Sequence, residues 1–243
     1  MLKKILLIVT AGFLGAYIAF ALLFLPTKED SVECSGMNIS IENNEHHVLG
    51  IQDIERILKE KGLTPKGRSL SEIDCSLIEQ NIKKLSIVKE CECYKTHKGA
   101  INIDIECKEP IMLVYTIDDG RFCIDSYGDI IEGVNSSIYL PVASGYIERN
   151  MAKKELLDIA LLLKENQFWQ EQIEQIYFTN KREIVFVPRV GNHTIEAGTA
   201  KNIKKKLEKL EEFYKKGLNK IGWNKYSKLN IEFDNRVIGT RRE

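Results

Sequence analysis

From Ile5 to Leu25 no side chain carries a charge. At about 1.5 Å of rise per residue, a helix of that length matches a hydrocarbon core about 30 Å thick. Lys3 and Lys4 precede the run, Pro26 ends it, and Lys28, Glu29 and Asp30 follow. The positive-inside rule then predicts a cytoplasmic N-terminus and an exported body. Ala19-Phe20-Ala21 fits the small-x-small pattern of a cleaved signal peptide. Apolar residues continue past it through Leu22, Leu23, Phe24 and Leu25, however, so the reading taken is a retained single-pass anchor. Either way the body leaves the cytoplasm.

Pro26 to Gly36 is polar and without periodicity, a linker. Met37 to Ile41 alternates like a short strand. Gly50 then precedes a helical pattern that places Ile51, Ile54, Ile57 and Leu58 on one face and closes at Lys61-Gly62. A second helix starts near Ser71 or Asp74, with Ile73, Leu77, Ile78, Ile82 and Leu85 inward. Two strands follow. Val88, Cys91 and Cys93 share one face only if the strand carries an irregularity such as a bulge. Lys98-Gly99 turns the chain, and Ile101, Ile103 and Ile105 alternate strictly with Asn102, Asp104 and Glu106. The order β-α-α-β-β predicts a small α+β module with two helices on one sheet face.

Beyond Pro110 the pattern is mostly strands. Met112–Ile117, Phe122–Asp125, Ile130–Ile131, Ile138–Val142, Ile173–Phe178, Glu183–Val187, His193–Glu196, Lys228–Phe233 and Val237–Ile238 read as strands. Turns fall at Asp118-Asp119-Gly120, Tyr127-Gly128 and Asp234-Asn235. Helices are predicted from about Lys153 to Glu165 and from about Ala200 to Lys216; in the latter Ile203, Leu207, Leu210 and Phe213 form one stripe. The expectation is a mainly antiparallel β domain with two helices. Boundaries fall at 1–35 for the cytoplasmic tip, span and linker, 36–111 for the first module and 112–243 for the β domain.

Charge narrows the function. Among 243 residues, Lys plus Arg equals Asp plus Glu, and the formal net charge is zero. A nucleic-acid binder needs a basic surplus to neutralise phosphates. No fixed repeat is present, which argues against a solenoid. There is no G-x-S-x-G, P-loop or H-E-x-x-H, so enzymatic readings find little support. Asp118-Asp119 beside Gly120 reads as a turn rather than a paired-carboxylate site. His193 reads as strand surface, and Lys201, Lys204, Lys205 and Lys206 as a solvated helix face.

Six cysteines, Cys34, Cys75, Cys91, Cys93, Cys107 and Cys123, leave disulfide pairing open in an exported protein. Cys91 and Cys93 point the same way on a strand, a poor pair, and the reading taken is small buried hydrophobes. C-x-C is the wrong spacing for structural zinc, and no activating His or C-x-x-C marks a thiol enzyme. No cofactor or metal is expected.

Several segments in order carry a resemblance. Gly50 with Ile54 and Leu58 resembles the start of a POTRA module. Ile101-Asn-Ile-Asp-Ile105 with Lys108-Glu109-Pro110 resembles a signature between two domains. Phe122-Cys-Ile-Asp125, Tyr127-Gly128, Leu140-Pro141-Val142 and Gly145 resemble a β-domain pattern, as do Gly198 before the Lys-rich helix and Leu229-Asn-Ile-Glu-Phe-Asp234. Together they resemble the FtsQ/DivIB family of bitopic cell-division proteins. The resemblance implies a non-enzymatic divisome scaffold in the bacterial inner membrane. Its N-terminus would be cytoplasmic and its body periplasmic at the septum, holding FtsB-like and FtsL-like membrane proteins. The other binding class to weigh is a POTRA-type chaperone for outer-membrane or secreted proteins, which usually carries POTRA units in series or a barrel.

The partner site is expected at the C-terminal end. Val237-Ile238-Gly239-Thr240 reads as an edge strand without internal charge or proline, and such an edge offers unpaired backbone groups to an incoming strand. Phe233, Arg236, Val237, Ile238 and Thr240 are the candidate partner-binding residues. The resemblance puts Phe233 at the position of an aromatic contact.

Overall fold

The strictest alternation in the sequence builds the centre of the first sheet. Strand β3, Ala100–Cys107, buries Ile101, Ile103 and Ile105 and turns Asn102 and Asp104 outward. In the computed structural model, which describes residues 10, 12, 14–20, 32–45, 47–118, 120–134, 139–233 and 235–242, β3 lies between β1, Gly36–Glu42, and β2, Val88–Lys95. β1 runs parallel to β3, from Gly36 opposite Ala100 to Glu42 opposite Glu106. β2 runs antiparallel, and its register shifts between Val88 and Glu90. That bulge is the irregularity the sequence required, and it brings Val88, Cys91 and Cys93 to one buried face.

Two helices complete this unit. In α1, Ile51–Glu60, Ile54 and Leu58 are buried, while Ile51 is half exposed because it sits in the open first turn. The Asp53 carboxylate accepts the Gly50 N–H at 3.0 Å, satisfying one of the orphan donors at the helix start. α2 spans Cys75–Ile82. Asp74 caps it by accepting the Leu77 N–H at 3.0 Å. Ile78 and Ile82 point inward, but Leu77 is exposed, one correction to the predicted stripe.

The second sheet has nine strands: β4 Pro110–Tyr115, β5 Arg121–Asp125, β6 Ile130–Ile131, β7 Val142–Gly145, β8 Ile173–Phe178, β9 Ile184–Pro188, β10 Thr194–Gly198, β11 Tyr226–Asn230 and β12 Ile238–Arg241. Their spatial order is β12-β11-β10-β9-β8-β7-β4-β5-β6. Most pairs are antiparallel, as expected, but β4–β7, β7–β8 and β10–β11 are parallel. A parallel pair needs a crossover, and helices supply two of them. α3, Glu155–Glu165, and α4, Gln167–Gln172, lie between β7 and β8. α5, Ile203–Phe213, lies between β10 and β11 and continues into a π-helical turn at Tyr214–Leu218. α4 was not predicted; its six residues are too few for a periodicity to show.

The predicted strand Ile138–Val142 shifts forward. Ile138 lies outside the described residues, Tyr139 is 78% exposed, and the strand is Val142–Gly145. Pro141 has no N–H to give a ladder, but its carbonyl accepts the Leu113 N–H at 3.0 Å.

β4 is buried from Pro110 to Val114 without alternation because each of its faces meets a different core. Met112 and Val114, with Phe122 and Ile124 of β5, join the core beneath α3–α5. Leu113, with Cys123 and Ile131, joins the core of the three-stranded unit. The β4–β5–β6 end of the large sheet is therefore a wall shared by both cores. The Ile5–Leu25 span lies mostly outside the described residues. Among those described, residues 14–20 are helical, and no helix is long and apolar enough to cross a membrane.

Candidate partner-binding edge

β12 ends the large sheet, and among the described residues no strand pairs with its outer side. It is antiparallel to β11, with Ile238 opposite Asn230, Gly239 opposite Leu229 and Thr240 opposite Lys228. Opposite residues share a face. Leu229 is buried, so Gly239 turns toward the core while Ile238 and Thr240 turn outward with Asn230 and Lys228. Gly239 is required there: a Cβ would stand 2.5 Å from the Tyr226 ring, which leans over that backbone and against Phe213. On the outward face Lys228 Nζ pairs with Glu196 Oε1 at 2.8 Å. Ile238 is 43% exposed on this otherwise polar face.

The strand is displaced from its predicted position. Val237 precedes it, half buried against the core, and Arg241 lies within it rather than guarding its end. Arg242 ties the end down: its N–H donates to the Lys225 carbonyl at 3.1 Å, and its guanidinium donates to the Asn192 carbonyl.

Phe233 sits ahead of the strand and is 45% exposed. The Arg236 guanidinium stacks 4.8 Å from its ring centroid, and the Arg236 N–H reaches the Phe233 carbonyl. Phe233 also borders a shallow recess of about 400 Å³ with Thr199, Lys201, Asn202 and Glu232. Four of the five candidate residues thus present exposed side chains along one stretch at the sheet edge, and Val237 anchors that stretch to the core.

Two supporting residues differ from their sequence reading. Lys206 is only 4% exposed, and its Nζ donates to the Ala197 carbonyl at 2.8 Å and to the Thr199 carbonyl at 3.1 Å. It ties α5 to the end of β10 instead of facing water. His193, also 4% exposed, lies behind the edge, with Nε2 2.6 Å from Tyr214 Oη. Burial holds its imidazole below the ordinary range, and the nearby Arg242 charge adds to the depression. Burial pushes the Tyr214 phenol well above its usual value. The π-helical turn that starts at Tyr214 sets this pair among Trp169, Phe168 and Trp223, whose rings meet Tyr214 edge-on. No local pattern marks His193 as buried; only the crossover of α5 over β10 encloses it.

Among the described residues, no group of three or more His, Cys, Asp or Glu side chains could hold a metal ion. The surface has the makings of a docking edge: backbone groups, an exposed Ile, and an aromatic ring stacked on a cation.

Among curated proteins no match is found. Residues 32–106 match the model of a POTRA-like domain. Residues 109–240 match the model described as FtsQ/DivIB, C-terminal related, a group of domains associated with cell-division scaffolds. Since that second match alone spans more than half of the 243 residues, the chain belongs to the FtsQ/DivIB family.

Proposed function

We propose that the protein is a non-enzymatic scaffold of the division machinery, which holds FtsB-like and FtsL-like membrane proteins by accepting a strand on the outer side of β12. The observation that carries the reading is the end of the nine-stranded sheet: a strand with no described neighbour on one side, and Ile238 and Phe233 both exposed beside it. An isolated apolar side chain on a polar edge, next to unpaired N–H and C=O groups, is what β-augmentation uses. Lys3-Lys4 and the uncharged Ile5–Leu25 stretch support a single-pass inner-membrane anchor with a cytoplasmic N-terminus and a periplasmic body. Within that body the two units are taken to be 36–111 and 112–243.

The test uses the full chain in detergent and an FtsB-like partner measured by calorimetry. Ile238→Asp puts a guarding charge on the edge, and Phe233→Ala removes the ring. Each should weaken binding at least tenfold, about 1.4 kcal/mol, while leaving the melting temperature nearly unchanged because both side chains are exposed. Normal binding by both variants would overturn the assignment of the edge.

A further inference from the structure

All six cysteines are free. Cys34, Cys91, Cys107 and Cys123 are buried, and burial pushes the Cys91 and Cys123 thiols up to about 11, so they behave as small apolar groups. Cys75 is different. It is the first residue of α2, partly exposed, and sits at the rim of the core that contains Cys93.

The register of α2 over β2 is fixed by a hydrogen bond: Glu79 Oε1 accepts the Cys93 N–H at 2.8 Å. Residues four apart share a helix face. With Glu79 held to the backbone of Cys93, Cys75 stands one turn earlier on the same helix face, beside the same strand, and its thiol adds to the rise that burial gives the Cys93 thiol. Cys91, on the same strand face, is the neighbour to discriminate against. A Cys91–Cys93 bridge is disfavoured because side chains two apart on a strand run side by side.

We propose that Cys75 and Cys93 form an intramolecular disulfide, a modification site that pins the first turn of α2 to β2. The oxidant is a low-molecular-weight disulfide. The Cys75 thiolate, at the exposed rim, attacks one sulfur of the oxidant, whose S–S bond breaks and releases one thiolate. Cys93 then loses its proton and attacks Cys75 Sγ of the mixed disulfide, releasing the second thiolate. Two S–H bonds are replaced by one S–S bond, and the two electrons and two protons end on the two thiols of the reduced oxidant. The order follows exposure: Cys75 meets solvent, and buried Cys93 resolves. In cells the bridge rests on the body lying outside the cytoplasm, where disulfides persist. In the purified chain its formation does not depend on location, so the two readings fail separately.

The experiment takes the reduced full chain in detergent, adds oxidised glutathione at about pH 8, blocks remaining thiols and digests with trypsin without reduction. The expected product joins the peptide 69–83 to the peptide 90–95, with fragmentation placing the bond at Cys93. Cys93→Ser should abolish the link, leaving Cys75 as a glutathione adduct, and Cys91→Ser should preserve it. The oxidised chain should melt on the order of 10 °C higher than the reduced one, a rise lost in Cys75→Ser. Full alkylation of Cys75 after oxidation, a link that survives Cys93→Ser, or a glutathione adduct on Cys75 as the only product in the unmodified sequence would each overturn the proposal.

Discussion

His193 shows how a single residue gains meaning only from its enclosure. Its imidazole is enclosed against Tyr214, and burial first, then the nearby Arg242 charge, favour the neutral ring. The folded-state pKa is below the ordinary 6.5, so the unfolded chain binds more protons as pH falls. The stability that His193 contributes is complete above that ordinary value and is lost as pH drops through the lower folded value. Thermal melts of the full chain from about pH 7 to about pH 5 should show this loss, and His193→Gln should flatten the profile. Parallel profiles for the two proteins would show that His193 does not titrate from a buried neutral state. The sequence offered only a His beside a Thr. Lys206 was equally illegible: nothing in a run of lysines singles out the one whose ammonium meets the Ala197 and Thr199 carbonyls. The edge itself was legible, because Val237-Ile238-Gly239-Thr240 is a short run without charge or proline, and Ile238–Arg241 does end the large sheet.

At the scale of elements, periodicity carried most of the information. β3 was legible residue by residue because one face is buried and the other wet, which makes the pattern strict. Ile103→Ala should cost about 2–5 kcal/mol of stability, since the side chain is fully buried. Asn102→Ala should cost about 1 kcal/mol or less. It removes only exposed hydrogen bonds, to Asn38 at 3.0 Å and to the Tyr94 hydroxyl at 3.2 Å. Denaturant unfolding of the two variants checks this, and equal losses would mean that the assigned phase of β3 is wrong. Elsewhere the pattern was insufficient. β4 reads as a plain apolar run, which cannot reveal that its alternate residues serve two cores. The parallel pairs β4–β7, β7–β8 and β10–β11 join segments distant in sequence, and no local signal encodes such partners. β12 was found a residue early, because Val237 is apolar for the core's sake and not for the strand's.

For the whole molecule, the placement of the body is the claim most open to direct measurement. On the proposed topology, a periplasm-active reporter fused after Gly36 should be active and the same reporter fused before Lys3 should not, as the charge asymmetry around Ile5–Leu25 predicts. The reverse pattern of activity would reject the exported body and, with it, contact between β12 and periplasmic partners. The order of the large sheet sets a further consequence. β12 and β6 stand at its two ends, eight strand spacings apart, and at about 4.8 Å per spacing the sheet measures roughly 40 Å between them. One end leans on the three-stranded unit through Leu113, Cys123 and Ile131; the other carries Ile238. The sheet is thus a ruler that sets its β12 edge at a fixed offset from the near unit. Substitutions at the two ends are far enough apart that their effects on stability should add.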